Sequence, residues 1–173
     1  MLEVLAGKLA SKIKQTVPEH PASQAVLQFA ISVLLNALLI ILLTLAITVW
    51  TGKTPEAVQI LISFALLRQL SGGLHLKSGM ACVLFTTSLF TLLSLVHAGQ
   101  ALVLMMNGIS LLLVLLLAPA NIERQTRIPK RHYPKLKLAA AILVALNFVL
   151  GSPVVAASFL AQSISLLLVR KEG

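Results

Sequence analysis

The chain has 173 residues, 58% of them hydrophobic, and a mean hydropathy of +0.96. This composition excludes an ordinary soluble domain and predicts an all-α, polytopic integral membrane protein. The net charge of +9 does not indicate a nucleic-acid partner, because the basic residues flank apolar segments and no groove-reading motif accompanies them.

Residues 1–20 form the first predicted element. Apolar residues recur there at helical spacing opposite lysines: Leu2, Leu5, Leu9 and Ile13 against Lys8, Lys12 and Lys14. This pattern predicts an amphipathic helix that lies on the inner leaflet of the membrane. The segment is too weakly apolar for the core of a signal peptide, so we expect it to remain in the mature protein.

Six apolar segments follow within residues 25–169. They cover about 25–49, 57–70, 80–96, 100–118, 138–150 and 153–169. Four are long enough to cross a ~30 Å hydrocarbon core, whereas the second and fifth, with about 14 and 13 residues, are short for a full span. The sequence predicts a single membrane domain over 1–173 with about six transmembrane helices, two of them short.

The distribution of charge favours six spans with both termini in the cytoplasm. That arrangement places thirteen of the fourteen Lys and Arg residues inside and only Lys53 outside, whereas two re-entrant segments would place five inside and nine outside. We therefore expect a multi-pass protein of the cell membrane, with a basic cytoplasmic loop at 119–137. Six basic residues lie in that loop: Arg124, Arg127, Lys130, Arg131, Lys135 and Lys137. They are either a topology and lipid-contact determinant or a docking surface for an acidic peptide.

The stretch RQLSGGLHLKSGMAC, residues 68–82, contains the chain's single cysteine. Cys82 follows His75 by seven residues, and a thiol within reach of an imidazole is the minimum for a cysteine nucleophile. Ser78 is a good N-cap, so we expect a helix to begin near Ser78–Gly79 with Cys82 in or just past its first turn. The Gly72–Gly73 backbone could turn N–H donors toward an oxyanion.

Other interpretations of these residues stay open. A lone cysteine in a transmembrane helix is most often a packing residue, which would make the chain a non-enzymatic scaffold or transporter with an inert Cys82. His132 is the rival base on the cytoplasmic side. The chain has no Asp, so Gln69 or Ser71 could orient the imidazole, and the asparagines in spans are expected to make helix–helix hydrogen bonds: Asn36, Asn107 and Asn147. No metal or other cofactor is predicted, because too few ligands are present.

The pattern R-x-x-x-G-G-x-H-x-x-x-x-x-x-C resembles the signature of the accessory gene regulator B (AgrB) family of Gram-positive quorum-sensing systems. It is carried by Arg68, Gly72, Gly73, His75 and Cys82. Chain length, the amphipathic start and the basic, Pro-containing loop also fit the family. The segment GGLHL departs from it, since a more polar or aromatic neighbourhood is expected around the histidine.

The resemblance implies a membrane-embedded cysteine endopeptidase with His75 and Cys82 as its dyad, at the cytoplasmic face. It would cut the acidic C-terminal tail from a small AgrD-like precursor peptide and promote cyclisation to a lactone or thiolactone. Electrostatic or oxyanion support is expected from Arg68, Gly72, Gly73 and Lys77, and substrate binding from Lys130, Arg131, Lys135 and Lys137. Membrane lipids are the other expected partners, and a homodimer is left open.

Overall fold

The structure is a computed structural model that describes residues 2–73, 78–122 and 128–171, with side chains up to Val169. Within these ranges the chain is all-α, as predicted. The helices are α1 (Leu2–Thr16), α2 (Gln24–Thr51), α3 (Thr54–Ser71), α4 (Gly79–Ser94), α5 (Gln100–Leu117), α6 (Tyr133–Leu150) and α7 (Pro153–Lys171), and a 3-10 helix, Lys130–His132, precedes α6. An N-terminal helix and six further helices are thus present.

The predicted boundaries of the second and fifth membrane segments were wrong. Helices α3 and α6 each have 18 residues, which corresponds to ~27 Å of rise. Each begins with a polar turn containing a proline, and proline suits the first turn of a helix because its missing N–H has no intrahelical partner there. The helices therefore begin before the apolar runs do. Helix α4, with 16 residues, is shorter than either.

The basic loop is also shorter than the predicted 119–137. Because α6 begins at Tyr133, Lys135 and Lys137 belong to its first turns. Charge and Pro134 together had indicated a loop, but long cationic side chains can extend from a helix end to the membrane surface.

Three of the described helical segments are long and apolar enough to cross a membrane: Gln24–Thr51, Gln100–Leu117 and Lys130–Leu150. Helices α4 and α7 are apolar but shorter over their searched parts. Large apolar side chains are widely exposed, with Trp50 at 92% and Val149 at 87%. Such a surface is suited to lipid, and the chain is an all-α membrane protein; the number of spans stays a prediction.

The chain forms two compact units. The first comprises residues 2–47 and the described part of 75–89. Within it Ala6 and Ala10 of α1 are fully buried, whereas Leu5, Leu9 and Ile13 stay exposed. Gln28 Nε2 donates to the carbonyl of Glu3 at 3.4 Å and so connects α2 with α1.

The second unit comprises 48–73 and the described residues from Phe90 onward. There α7 packs against α3 and α5, and α6 packs against the same two helices. Its apolar core is made by Leu67, Val114, Ala118, Ala140, Val144, Phe159 and Leu166. Burial of this core holds together α3, α5, α6 and α7, the four helices that position the Gly72–Gly73 segment.

Buried polar side chains join the helices of the second unit. Asn147 Nδ2 on α6 donates to Asn107 Oδ1 on α5 at 3.1 Å, and Ser63 Oγ on α3 donates to Ser158 Oγ on α7 at 3.0 Å. The expectation of helix–helix hydrogen bonds is therefore confirmed for Asn107 and Asn147.

Candidate active site

Cys82 lies at the start of α4, as the sequence predicted. The helix begins at Gly79 directly after Ser78, and Cys82 is its fourth residue. The Cys82 N–H donates to the Ser78 carbonyl at 3.0 Å, and the Ala81 N–H lies 3.5 Å from Ser78 Oγ, the position of an N-cap acceptor. The thiol is half-buried and its Sγ is 4.0 Å from Thr86 Oγ1. Cys82 is thus held near the positive end of the helix.

Asn36 of α2 lies against this same turn of α4. A Cβ atom placed on Gly79 would be 3.0 Å from Asn36 Oδ1 and 3.1 Å from its Nδ2. Asn36 Oδ1 is buried and has no hydrogen-bond partner among the described residues. The helix–helix hydrogen bond expected for Asn36 is therefore not made by this oxygen.

The Arg68–Gly73 segment belongs to the second unit and turns at the end of α3. Gly72 has a φ of 75° and donates its N–H to the Arg68 carbonyl at 2.9 Å, so it closes the helix. Gly72 and Ala120 form a parallel bridge, in which Gly73 N–H donates to Ala120 O at 3.2 Å and Ala120 N–H to Ser71 O at 2.9 Å. The segment before the histidine is thereby joined to the beginning of the basic loop.

Gln162 of α7 holds this turn from the interior. Its Nε2 donates to the Gly72 carbonyl at 2.6 Å and to Ser71 Oγ at 3.1 Å, and the residue is fully buried. Ser165 Oγ donates to the Gln162 carbonyl at 2.7 Å. Gln162 was not predicted from the sequence, although a carboxamide within the apolar run FLAQSISLLL indicates a polar contact inside a helix bundle.

The geometry of this turn bears on two expectations. The N–H groups of Gly72 and Gly73 both donate within the chain, so in this structure they do not project toward a vacant oxyanion position. Ser71 Oγ accepts from Gln162 and donates to the Gly72 carbonyl at 3.3 Å, so it already has partners. These residues form a packed corner that fixes the direction of the chain.

The described residues do not include the predicted site residues His75 and Lys77 or the loop residues Arg124 and Arg127. The structure brings Arg68 to the glycine corner, where its Nη1 is 3.5 Å from the position of a Gly73 Cβ. This corner belongs to the second compact unit and Cys82 to the first.

The four proposed substrate-binding residues lie around the start of α6. Lys130 and Arg131 are exposed on the 3-10 helix, Lys135 is exposed on α6, and Lys137 is partly buried. Arg131 Nε donates to His132 Nε2 at 3.2 Å. The four residues lie within one short stretch at the start of α6, here called the α6 basic surface.

Among the described residues, no three His, Cys, Asp or Glu side chains come together as a set of metal ligands.

Comparison with known proteins identifies the relatives of this chain. The family model described as "Accessory gene regulator B" matches residues 5–169. A protein of Halalkalibacterium halodurans described as AgrB-like is 29% identical over 150 residues, which cover 87% of this chain and 76% of that protein. No solved structure matches the chain.

Proposed function

The chain belongs to the accessory gene regulator B family, and from this membership we propose that it is a membrane-embedded cysteine endopeptidase that processes a quorum-sensing precursor peptide. The observation that carries the proposal is the position of Cys82, which is the chain's only cysteine and lies at the N-capped start of α4. The thiol is half-buried, so a substrate carbonyl can approach it at the beginning of the helix.

Acyl transfer by a His75–Cys82 dyad is the proposed mechanism. His75 accepts the proton of the Cys82 thiol, and the thiolate attacks the carbonyl carbon between the ring-forming part of the precursor and its tail. The C–N bond breaks, the imidazolium protonates the departing amine, and a thioester on Cys82 remains. A Cys or Ser side chain of the same peptide then attacks this thioester, which closes a thiolactone or lactone and releases Cys82. Exclusion of water suppresses competing hydrolysis.

The first turn of α4 is the proposed source of oxyanion donors. Gly79 and Met80 precede the first intrahelical hydrogen bond, which is the Cys82 N–H to Ser78 carbonyl bond, so their N–H groups have no acceptor within the helix. The Gly72–Gly73 corner is assigned a structural role, because its N–H groups already donate to Arg68 and Ala120. Electrostatic support from Arg68 and Lys77 stays a prediction of the family resemblance.

The α6 basic surface is proposed to bind the acidic tail of the precursor. Its four cationic residues lie on one short stretch, and three of them are exposed. A carboxylate-rich peptide would be attracted and retained there in a salt-dependent way. We propose that the dyad and this surface lie on the cytoplasmic side of the cell membrane, in a six-span topology with both termini inside.

Replacement of the dyad tests the proposal. The substrates are synthetic peptides with an amphipathic N-terminal segment, an internal Cys and a Glu-rich tail, added to the protein in liposomes. Cys82→Ala and His75→Ala should each lower tail release by about 10³-fold or more, because the covalent route is lost. His97→Ala and His132→Ala are the matched controls and should retain activity.

The alternative function predicts a different result. If the chain is a scaffold or transporter with an inert cysteine, Cys82→Ala has no effect on processing, and iodoacetamide modifies Cys82 no faster in the wild type than in His75→Ala. Equal processing by a correctly folded Cys82→Ala variant would reject the peptidase proposal.

A further inference from the structure

The three lysines of α1 have different surroundings. Lys14 Nζ donates to the carbonyl oxygens of His20 at 2.6 Å and of Pro18 at 3.5 Å, so its ammonium group closes the turn that follows the helix. Lys8 and Lys12 are exposed, and they lie one helical turn apart on the same face of α1. Lys8 and Lys12 are therefore the two lysines of this helix that can meet an anionic partner.

An open apolar groove lies beside Lys12. It is lined by Leu9, Lys12, Ile13, Thr16 and Val17 and has a volume of about 260 Å³. Leu9, Ile13 and Val17 recur every four residues and are exposed, so they follow one side of the chain to the end of the helix. Thr16 Oγ1 donates to the Lys12 carbonyl at 3.0 Å, so its hydrogen is already used. The groove thus offers an apolar surface with one cationic side chain.

The buried side and the acidic residue of α1 lie away from this face. Ala6 and Ala10 are fully buried and so mark the side that packs within the protein. Glu3 is the one acidic residue of the helix, and it precedes Lys12 by nine residues, or two and a half turns, which places it on the opposite side. Glu19 follows in the turn that Lys14 closes. The positive charge on the groove side is therefore not neutralised within α1.

The chemistry of this groove fits an anionic phospholipid. Pockets that enclose a small molecule usually have ~300–1,000 Å³, so an open groove of about 260 Å³ is too small to enclose a soluble ligand. It can hold part of an acyl chain whose remainder stays in the bilayer. An interfacial amphipathic helix presents its lysines at the level of the headgroups, where they attract phosphate. A free phosphate or an acidic peptide would use the lysines but not the apolar surface.

We propose that α1 carries a discrete site for one anionic phospholipid, such as phosphatidylglycerol. The ammonium groups of Lys8 and Lys12 bind the phosphate, and one acyl chain lies along Leu9, Ile13 and Val17. This is a selective site, which differs from the general affinity of an amphipathic helix for a membrane surface. It is independent of the peptidase chemistry proposed above, so either assignment can fail without the other.

Crosslinking with lipid probes tests the site in the full-length protein, reconstituted in nanodiscs of phosphatidylcholine. The probes are phosphatidylglycerol and phosphatidylcholine, each with a diazirine in one acyl chain, and mass spectrometry locates the adducts. At low probe content, phosphatidylglycerol should label residues 9–17 about 25-fold more than phosphatidylcholine, because each lysine near an anionic headgroup strengthens binding by roughly fivefold. Lys8→Gln with Lys12→Gln should remove this preference.

Two further variants separate the parts of the site. Lys14→Gln is the matched control and should keep the preference, because Lys14 Nζ is used by the carbonyls of His20 and Pro18. Leu9→Ser with Ile13→Ser leaves every charge in place and should lower labelling of residues 9–17 by the phosphatidylglycerol probe, because the acyl chain loses its apolar contact.

The possible results bear on the proposal in different ways. Equal labelling by the two probes would show general contact with the bilayer and would overturn the site. A preference that persists without Lys8 and Lys12, or one that is lost in Lys14→Gln, would overturn the assignment of the lysines, and unchanged labelling after Leu9→Ser with Ile13→Ser would overturn the groove. Inorganic phosphate and a Glu-rich peptide, each added in excess at matched ionic strength, should not displace the probe. Displacement by either would identify a site for soluble anions and reject the lipid.

Discussion

Substitution of Gly72 tests the bridge between the Gly72–Gly73 corner and Ala120 at the beginning of the basic loop. A Cβ at this position would overlap the carbonyl oxygen of Ala120 and lie 3.1 Å from Ile122 Cγ1, so the bridge must open. The φ and ψ of 75° and −153° are also unfavourable for a residue with a side chain, at about 1–3 kcal/mol. Loss of the two bridge hydrogen bonds adds about 1 kcal/mol each. Gly72→Ala should therefore lower the free energy of unfolding by about 3–5 kcal/mol.

Gly52 is the matched control, because it has a φ of +70° but nothing within 4 Å of its Cβ position. Gly52→Ala should cost only about 1–2 kcal/mol, the backbone contribution. Thermal unfolding in detergent, followed by circular dichroism, should show a decrease of roughly 6–20 °C for Gly72→Ala and roughly 2–8 °C for Gly52→Ala. Equal melting temperatures for the two variants would refute the reasoning about the bridge.

Two further predictions concern the α6 basic surface and the topology. Replacement of Lys130, Arg131, Lys135 and Lys137 by Gln should raise KM for the acidic-tailed peptide far more than it lowers kcat, and the rise in KM should be larger at low salt than at high salt. The control variant, Lys8→Gln with Lys12→Gln, should leave KM unchanged. Equal effects of the two sets of substitutions on KM would contradict tail binding. In a Cys82→Ser background, Lys53→Cys should react with an impermeant maleimide from outside the cell. Lys130→Cys should react only after the membrane is permeabilised. The reverse pattern of labelling would reject the six-span orientation.

Local features of the sequence were sufficient to predict the position of Cys82 in its helix. Ser78 followed by Gly79 indicated an N-cap, and the helix begins there with Cys82 in its first turn. Amphipathic spacing indicated α1, and hydropathy indicated the helices from α2 to α7, because burial in lipid requires long apolar segments. The beginning of α6 was missed, since Pro134 and the flanking lysines are equally typical of a loop and of a first helical turn.

Contacts between distant residues could not be predicted in the same way. The Gly72–Ala120 bridge and the bonds from Gln162 to Ser71 and Gly72 depend on how four helices pack, and no periodicity in the sequence specifies those partners. Asn107 and Asn147 were expected to bond between helices, but only the structure identifies them as partners of each other. The two Gly N–H groups considered for an oxyanion are used inside the corner, which the motif alone does not reveal.

Detection of a thioester on Cys82 tests the central claim most directly. A precursor peptide whose internal Cys is replaced by Ala cannot discharge the acyl-enzyme by cyclisation, so the intermediate should accumulate in the water-poor site. Acid quenching and intact-protein mass spectrometry should then show an adduct with the mass of the acyl part of the peptide, removable by hydroxylamine and absent from Cys82→Ala. Release of the tail without any adduct, or an adduct that persists in Cys82→Ala, would contradict the proposed function.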